Sequence, residues 1–452
     1  MSRFTMCAAA AWVAVLASCD AGPYRCATNA QCVDQQDHAG ICEPDGYCSL
    51  ADSTCAATAR RYIDDDGAPK AGSCVAAAAT GCVSELAGGD RHLCLIRDDG
   101  AVWCWGGNEA GQLGDGTTED RARPVRARTP PGLKFTEVTA GENQTCALAA
   151  DHTVWCWGSN DSGQLGIVNA AGALAAGSPV PVQVMLVSGS APALAFQPLY
   201  ASQVSTGGKH VCVVDRETAV LCWGENDRGQ SGQDLSAGDD VLVPTAVAGL
   251  EEGYVGVALS ETTSACVKDD GSVFELGSNA SGQLGVGSKA DAASPVRAQI
   301  GSVKRASAGA EHVCAAKNDG SIWCWGYGAS VGLAAGDDQT VPQRILTADS
   351  VWTGGSAFQS CAVQDNTLLC WGQSTEGQVG DGRLDPENAT VFTPTRALIA
   401  TVTRAAASRG ATCATTVDHQ LWCWGANDHG QLARGMVGEP DPVPTRVDVD
   451  CN

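Results

Sequence analysis

The residues from His92 to Gly114, HLCLIRDDGAVWCWGGNEAGQLG, return in recognisable copies down to the C-terminus, and no other feature narrows the possible folds so far. Anchored on their first cysteine, the copies fall at Cys94, Cys146, Cys212, Cys266, Cys314, Cys361 and Cys413, spaced 52, 66, 54, 48, 47 and 52 residues apart. Seven copies at this period predict an all-β chain folded as a seven-bladed β-propeller. The units read as β because Leu95, Val102, Trp103 and Trp105 lie in short runs of branched and aromatic residues bounded by Asp-Gly and Gly-Gly.

Turn arithmetic then fixes a pairing inside each unit. The hairpin between Cys94 and Cys104 centres on Asp99, so Asp98-Asp99-Gly100 is a three-residue loop with glycine where a positive φ is needed. In the sixth copy the spacing is one residue shorter, the loop is Asp365-Asn366, and Cys361 still faces Cys370. Either loop makes the cysteines a non-hydrogen-bonded pair with Cα atoms about 4.5 Å apart, near the lower end of what a disulfide spans. Six bridges are expected: Cys94–Cys104, Cys146–Cys156, Cys212–Cys222, Cys314–Cys324, Cys361–Cys370 and Cys413–Cys423. The fourth copy has Glu275 where the second cysteine belongs, which leaves Cys266 as a buried, inert thiol. His152, Thr218 and His419 occupy turn positions where glycine would be easier.

The repeated W-G-x-N-x-x-G-Q-L-G, Trp105 to Gly114 and Trp157 to Gly166, resembles the repeat of the regulator of chromosome condensation family, whose fold is a seven-bladed propeller. The resemblance runs from about Cys82 to Asn452; it weakens at Tyr327 to Leu333, which lacks Asn and Gln, and at Ser231, which replaces Leu. The cysteine pairs are additional to the family pattern. That family's best-known member exchanges guanine nucleotide on a nuclear GTPase and binds chromatin, and neither partner is expected here.

The reason is cellular address. Residues 1–18 carry one Arg and an apolar run from Cys7 to Leu16, too short for a mature membrane span and read as an export signal. Its ending, Leu16-Ala17-Ser18-Cys19, resembles the bacterial lipoprotein cleavage box, which makes Cys19 the expected lipidated residue and the lipid the expected membrane anchor. The expected location is the cell envelope, as an outer-membrane or surface lipoprotein, with the inner membrane left open. Twenty-three cysteines suit an oxidising compartment. Residues 19–81 form a module with Cys26, Cys32, Cys42, Cys48, Cys55 and Cys74 and almost no large apolar residue, so it must be stapled rather than cored. Sequence does not choose among its connectivities, and a zinc site there lacks paired ligand spacing. Residues 82–452 form the propeller, and the remaining Cys82 and Cys451 flank the seam where its ends meet. A Cys82–Cys451 bridge is therefore expected, worth roughly 5 kcal/mol on the chain-entropy scale against roughly 3 for each hairpin bridge.

Residues repeated in most copies, Asn108, Asn160, Asn226, Asn279 and Asn427 with Gln112, Gln164, Gln230, Gln283, Gln378 and Gln431, read as structural. So do His92, His210 and His312, two residues before their cysteines; no metal and no cofactor is expected. Function should sit where the repeat breaks. Ile167 to Ser205 reads as an extended inter-blade loop, with shorter acidic loops at Gln233 to Val243 and Arg383 to Phe392. Tyr327 and Trp352 are the aromatics least explained by the repeat and are the candidate partner contacts.

Acids outnumber bases 51 to 28, for a formal net charge of -23, which argues against nucleic acid. The leading reading is a lipid-anchored binding or scaffold protein that engages an extracytoplasmic protein or glycan through a propeller face. A hydrolase using carboxylates of different blades is the alternative, although no G-x-S-x-G, H-E-x-x-H or P-loop is present. A third reading is calcium at Asp115-Gly116 and Asp381-Gly382, which lack a full run of oxygen ligands.

Overall fold

The computed structural model describes residues 83–189, 193–234, 240–354, 356–384, 389–447 and 449 in full, and Ile41–Cys42, Cys48–Ala51 and Arg60–Tyr62 by backbone alone. Two compact units are present, Met1–Ala79 and Thr80–Asn452. In the first, the three short strands form one antiparallel sheet in which Cys42 pairs with Cys48. Cys19, Cys82 and Cys451 lie outside the described residues, as does the connectivity of the N-terminal cysteines.

The second unit is a seven-bladed propeller of four-stranded antiparallel sheets. The blades span Glu85–Arg126, Phe135–Gln183, Ala201–Ala246, Tyr254–Arg297, Val303–Thr347, Ser350–Arg396 and Val402–Val447. Within each blade the first strand is innermost; it packs on the first strand of the next blade, and that of blade seven packs on that of blade one, closing the ring. The only helix among the described residues is the single turn Gly328–Val331.

Both expected turns are present. Arg97 pairs with Ala101 around the three-residue loop, with Gly100 at φ +81°, and Asp365 and Asn366 both adopt positive φ, as a two-residue type I′ turn requires. Cys94 faces Cys104, the other five pairs keep that register, and all six bridges are formed with Cα atoms 4.1 Å apart. His152, Thr218 and His419 hold φ of 72°, 69° and 61°; the bridge two to three pairs away and the closed ring offset that strain.

Blade four corrects the sequence frame. Glu275 does take the register of the second cysteine, but its partner is Ala265, whereas Cys266 pairs with Phe274. Copy four is thus anchored on Ala265, and its spacings become 53 and 49 residues, closer to the mean. Because side chains alternate along a strand, the one-residue offset turns Cys266 to the opposite sheet face, where it packs with Val247, Tyr254 and Leu276 towards blade three. Burial pushes its thiol well above the ordinary range.

The extended segments are also reassigned. Ser178–Gln183, Val241–Ala246 and Thr390–Arg396 are the outer strands of blades two, three and six, so only part of each supposed loop is loop. These strands are half-exposed and each contains a proline, which makes them read as loops. The proline recurs in every outer strand, at Pro124, Pro181, Pro244, Pro295, Pro342, Pro394 and Pro444, one residue before the position opposite the second bridge cysteine or, in blade four, opposite Glu275. It removes a donor from the exposed sheet edge and so discourages edge-to-edge association.

Candidate binding surface

Each blade is fastened to the next by repeated polar residues. The Asn of the W-G-x-N loop accepts a backbone N–H from within it, as Asn108 does from Leu113 at 3.0 Å, and the Gln side chain does the same for Ala110 at 2.9 Å. The Gln carbonyl accepts the indole N–H of the next blade: Trp157 to Gln112 at 2.8 Å, Trp223 to Gln164 at 3.0 Å, and Trp105 to Gln431 at 2.7 Å across the closure. In blade five the helical turn supplies Ser330, whose carbonyl accepts Trp371 at 2.9 Å, so the decayed loop keeps its function.

The three histidines are clamps of the same kind. His92, His210 and His312 place Nε2 at 2.9, 2.9 and 2.7 Å from Thr145, Ser264 and Ser360 of the following blade. Thr145 and Ser264 donate onward to the Gln112 and Gln230 carbonyls, so His92 and His210 must donate from Nε2. Burial drives all three imidazoles down to about 3, and they stay neutral in this role. Gln144 and Gln359 make the equivalent contact in blades two and six, to Gly208 O at 2.9 Å and Ser408 O at 2.7 Å. Among the described residues no group of three or more His, Cys, Asp or Glu side chains is placed to hold a metal ion. Asp115 is occupied by Thr117 Oγ1 at 2.6 Å and Arg121 Nε at 2.8 Å; burial pushes its carboxyl up, and these bonds outweigh it and hold it below the usual range. Asp381 accepts the N–H of Arg383 at 3.1 Å.

The innermost strands line the channel, and their free edges are capped by the preceding blade. Glu137 Oε2 accepts from Val204 N at 3.3 Å, Gln203 Oε1 from Val257 N at 2.8 Å, and Ser307 Oγ from Thr353 N at 2.9 Å. Register places Glu85, Glu137, Gln203, Arg305 and Arg404 at one level of this ring. Arg404 pairs with Glu85 at 2.7 Å. Burial pushes the Glu137 carboxyl up to about 7, with Glu85 adding to the effect and the Val204 bond and Arg305 opposing it. No repeat signal marks these residues; only their variation within a fixed register could have revealed them.

One level along the channel, Trp352 stands where the other blades carry Ala87, Thr139, Ser205, Ala258, Ser307 and Ala406. It is half-buried against the core between blades six and seven. Tyr327 is 37% exposed and lies edge-on to Phe358, with ring centroids 5.9 Å apart. One candidate contact is therefore a surface aromatic and the other a channel-side packing residue.

The loops between first and second strands meet around one channel mouth through backbone bonds from Asp90 to Gly141, Glu142 to Gly208, Ala310 to Ala357 and Arg409 to Gly89. Burial and the neighbouring Asp90, Glu142 and Glu311 charges push the Glu261 carboxyl up, against the pull of Arg409. The opposite end carries an extra two-stranded hairpin, Met185–Ser188 with Ala195–Pro198, between blades two and three. Leu186 packs on the blade core, whereas Phe196 and Tyr200 are 43% and 44% exposed. Between this hairpin and the Asp215-Arg216-Glu217 turn lies an open cleft of about 610 Å³, lined by Leu186, Pro198, Tyr200 and Leu221 with an acidic rim.

A family model described as the RCC1-like domain matches residues 57–356, and one for the regulator of chromosome condensation (RCC1) repeat matches residues 402–431. The chain is 27% identical to the ultraviolet-B receptor UVR8 of Arabidopsis thaliana, over 77% of this chain and 78% of the receptor. It is also 27% identical to the E3 ubiquitin-protein ligase HERC2 of Homo sapiens over 66% of this chain, which spans only 6% of that ligase. Among solved structures, yeast RCC1 (Prp20) bound to Kap60 superposes with a TM-score of 0.65 at 20% identity, covering 82% of this chain and 86% of that one, which shows the shared fold.

Proposed function

This chain belongs to the RCC1-like domain family, and from that premise we propose that it is a non-enzymatic binding and scaffold protein, displayed outside the cytoplasm by a lipid on Cys19. The observation that carries the reading is the break in the repeat. Where other blades join by short turns, the second and third are separated by a segment whose hairpin leaves Phe196 exposed and which ends in Tyr200, exposed at the lining of an open cleft. Exposed aromatics on a rigid frame suit macromolecular recognition, because little side-chain entropy is lost when they are covered. The partner is an extracytoplasmic protein or glycan, and the contact would bury on the order of 800 Å² on each side. Tyr327, on the opposite face, is a second contact to test. The apolar run of the leader, the L-A-S-C ending and the six formed bridges support an exported address.

Capture from envelope and secreted fractions by the full chain, beside a Phe196→Ser/Tyr200→Ser variant and a Tyr327→Ser variant, tests the surface. A macromolecule held by the wild type and lost by the double variant supports the hairpin site; equal capture by both rejects it. Incorporation of labelled palmitate that disappears in Cys19→Ala tests the anchor separately.

A further inference from the structure

The seam between blades four and five differs from the other six near the channel axis. Its clamp position holds Thr263, whose hydroxyl bonds to Ser278 of its own blade at 2.9 Å, and the facing residue is Val313. Among the described residues no backbone bond joins the mouth loops of these two blades; the seam between blades six and seven shares that lack but has the Gln359 clamp, so only here are both missing. At the mouth only Ser281 Oγ crosses, donating to Glu311 at 2.9 Å; the other bonds across the seam lie away from the axis: Trp325 to Gln283 O at 2.9 Å, Gly287 N to Thr340 O at 2.8 Å and Lys289 to Asp338 at 2.6 Å.

Into this seam blade four sends Glu275. Its side chain stands opposite Ala265, in the register where six blades have half of a disulfide. It is fully buried, and neither carboxyl oxygen has a hydrogen-bond partner within usual geometry. The sheet face it shares is built from Ala265, Val267 and Val273, and the facing blade brings Val313, Ala315 and Trp325. The indole of Trp325 is the polar group that acts on it, the Cys266 thiol is the nearby titratable group, and no charged side chain is close enough to compensate it. An ionised carboxylate in such surroundings is untenable, so the closed seam holds the neutral acid.

We propose that the seam between blades four and five is the propeller's proton-controlled opening point, closed while Glu275 keeps its proton and loosened when the proton is lost to water. The sign follows from linkage. Burial raises the carboxyl in the closed seam, whereas in an opened seam it meets water and titrates in the ordinary range. Opening therefore releases one proton, and its equilibrium constant rises up to tenfold per pH unit above about pH 5.

Hydrogen exchange on the full chain between pH 5.5 and 8.5, corrected for the intrinsic dependence of exchange on pH, tests this. His312–Lys317 of blade five reports on the seam, and Gln359–Gln364 of blade six reports on a bridged, clamped one with no raised acid beside it. The expected result is that protection of the blade-five strand falls by at least tenfold more than that of blade six across the range, and that Glu275→Gln abolishes the difference. The isosteric amide keeps the volume and cannot ionise; Ala265→Cys/Glu275→Cys, which replaces the acid by the missing bridge, provides the same readout if the amide misfolds. Equal pH dependence at the two seams, or a blade-five dependence that survives in both variants, overturns the proposal.

Discussion

Blades one and four have the same three-residue turn, the same bulge before the outer strand and the same edge proline, yet one holds Cys94 bonded to Cys104 and the other holds Ala265 opposite Glu275. Leu276 also replaces the tryptophan that elsewhere donates to the preceding blade. Blade four nevertheless keeps its register and a fully buried centre. The bridge is therefore a staple on a hairpin that the turn and the alternation of side chains already specify. Where the bridge is absent, the blade is specified but less strongly held, and a buried acid is tolerated because it can stay protonated.

Exchanging the two arrangements gives the largest effect. Cys94→Ser/Cys104→Ser is expected to lower stability by about 3 kcal/mol, whereas Ala265→Cys/Glu275→Cys is expected to raise it by a comparable amount. Denaturant unfolding with and without reductant, together with a mass shift of two hydrogens for the new bridge, decides both. A destabilised double cysteine variant would mean that the blade-four face is strained in a way the register does not show.

The second test sets one acid against the other. Glu137 has a backbone donor and Arg305 nearby, and its carboxyl is raised only to about 7, so it ionises within the accessible range. A folded-state value above the unfolded one means that stability is full below about pH 4.5 and is lost as pH rises towards 7. Glu137→Gln keeps an acceptor for Val204 and should remove that fall, gaining about 2 kcal/mol at pH 8 and nothing near pH 4, a figure discounted because the side chain still meets channel solvent. Thermal unfolding across pH shows it; parallel curves for the two proteins would reject the assignment.

The smallest effect comes from the clamps. His210→Gln should cost under about 1 kcal/mol, since Gln144 and Gln359 do the same work, whereas His210→Ala should cost about 2 through a lost hydrogen bond and a cavity. If the amide is as damaging as alanine, the imidazole has a role beyond reaching the next blade.

Much of the frame is legible in the sequence, because it is local. The Asp98-Asp99-Gly100 and Asp365-Asn366 turns set which residues face each other within ten positions, and the six cysteine pairs follow from that count. The same count fails in copy four, because Cys266 lies one residue out of register and Ala265 holds the anchor position. Proline-bearing outer strands read as loops, since a half-exposed edge strand carries little apolar signal. Of the candidate contacts, Tyr327 is an exposed aromatic, whereas Trp352 packs beside the channel between blades six and seven.

By itself the sequence determined the period, the hairpins, the bridges and the repeated polar loop, since each depends on spacings of a few residues acting through backbone geometry. Ring closure decided the rest. Arg404 meets Glu85, Arg409 meets Asp90 at 3.4 Å and His429 meets Asp120 at 2.6 Å only because blade seven returns to blade one. The burial that raises Glu137 and Glu275 comes from neighbouring blades rather than neighbouring residues. Desolvation and charge pairing depend on what is adjacent in space, and in a ring the adjacent strand belongs to another copy of the repeat.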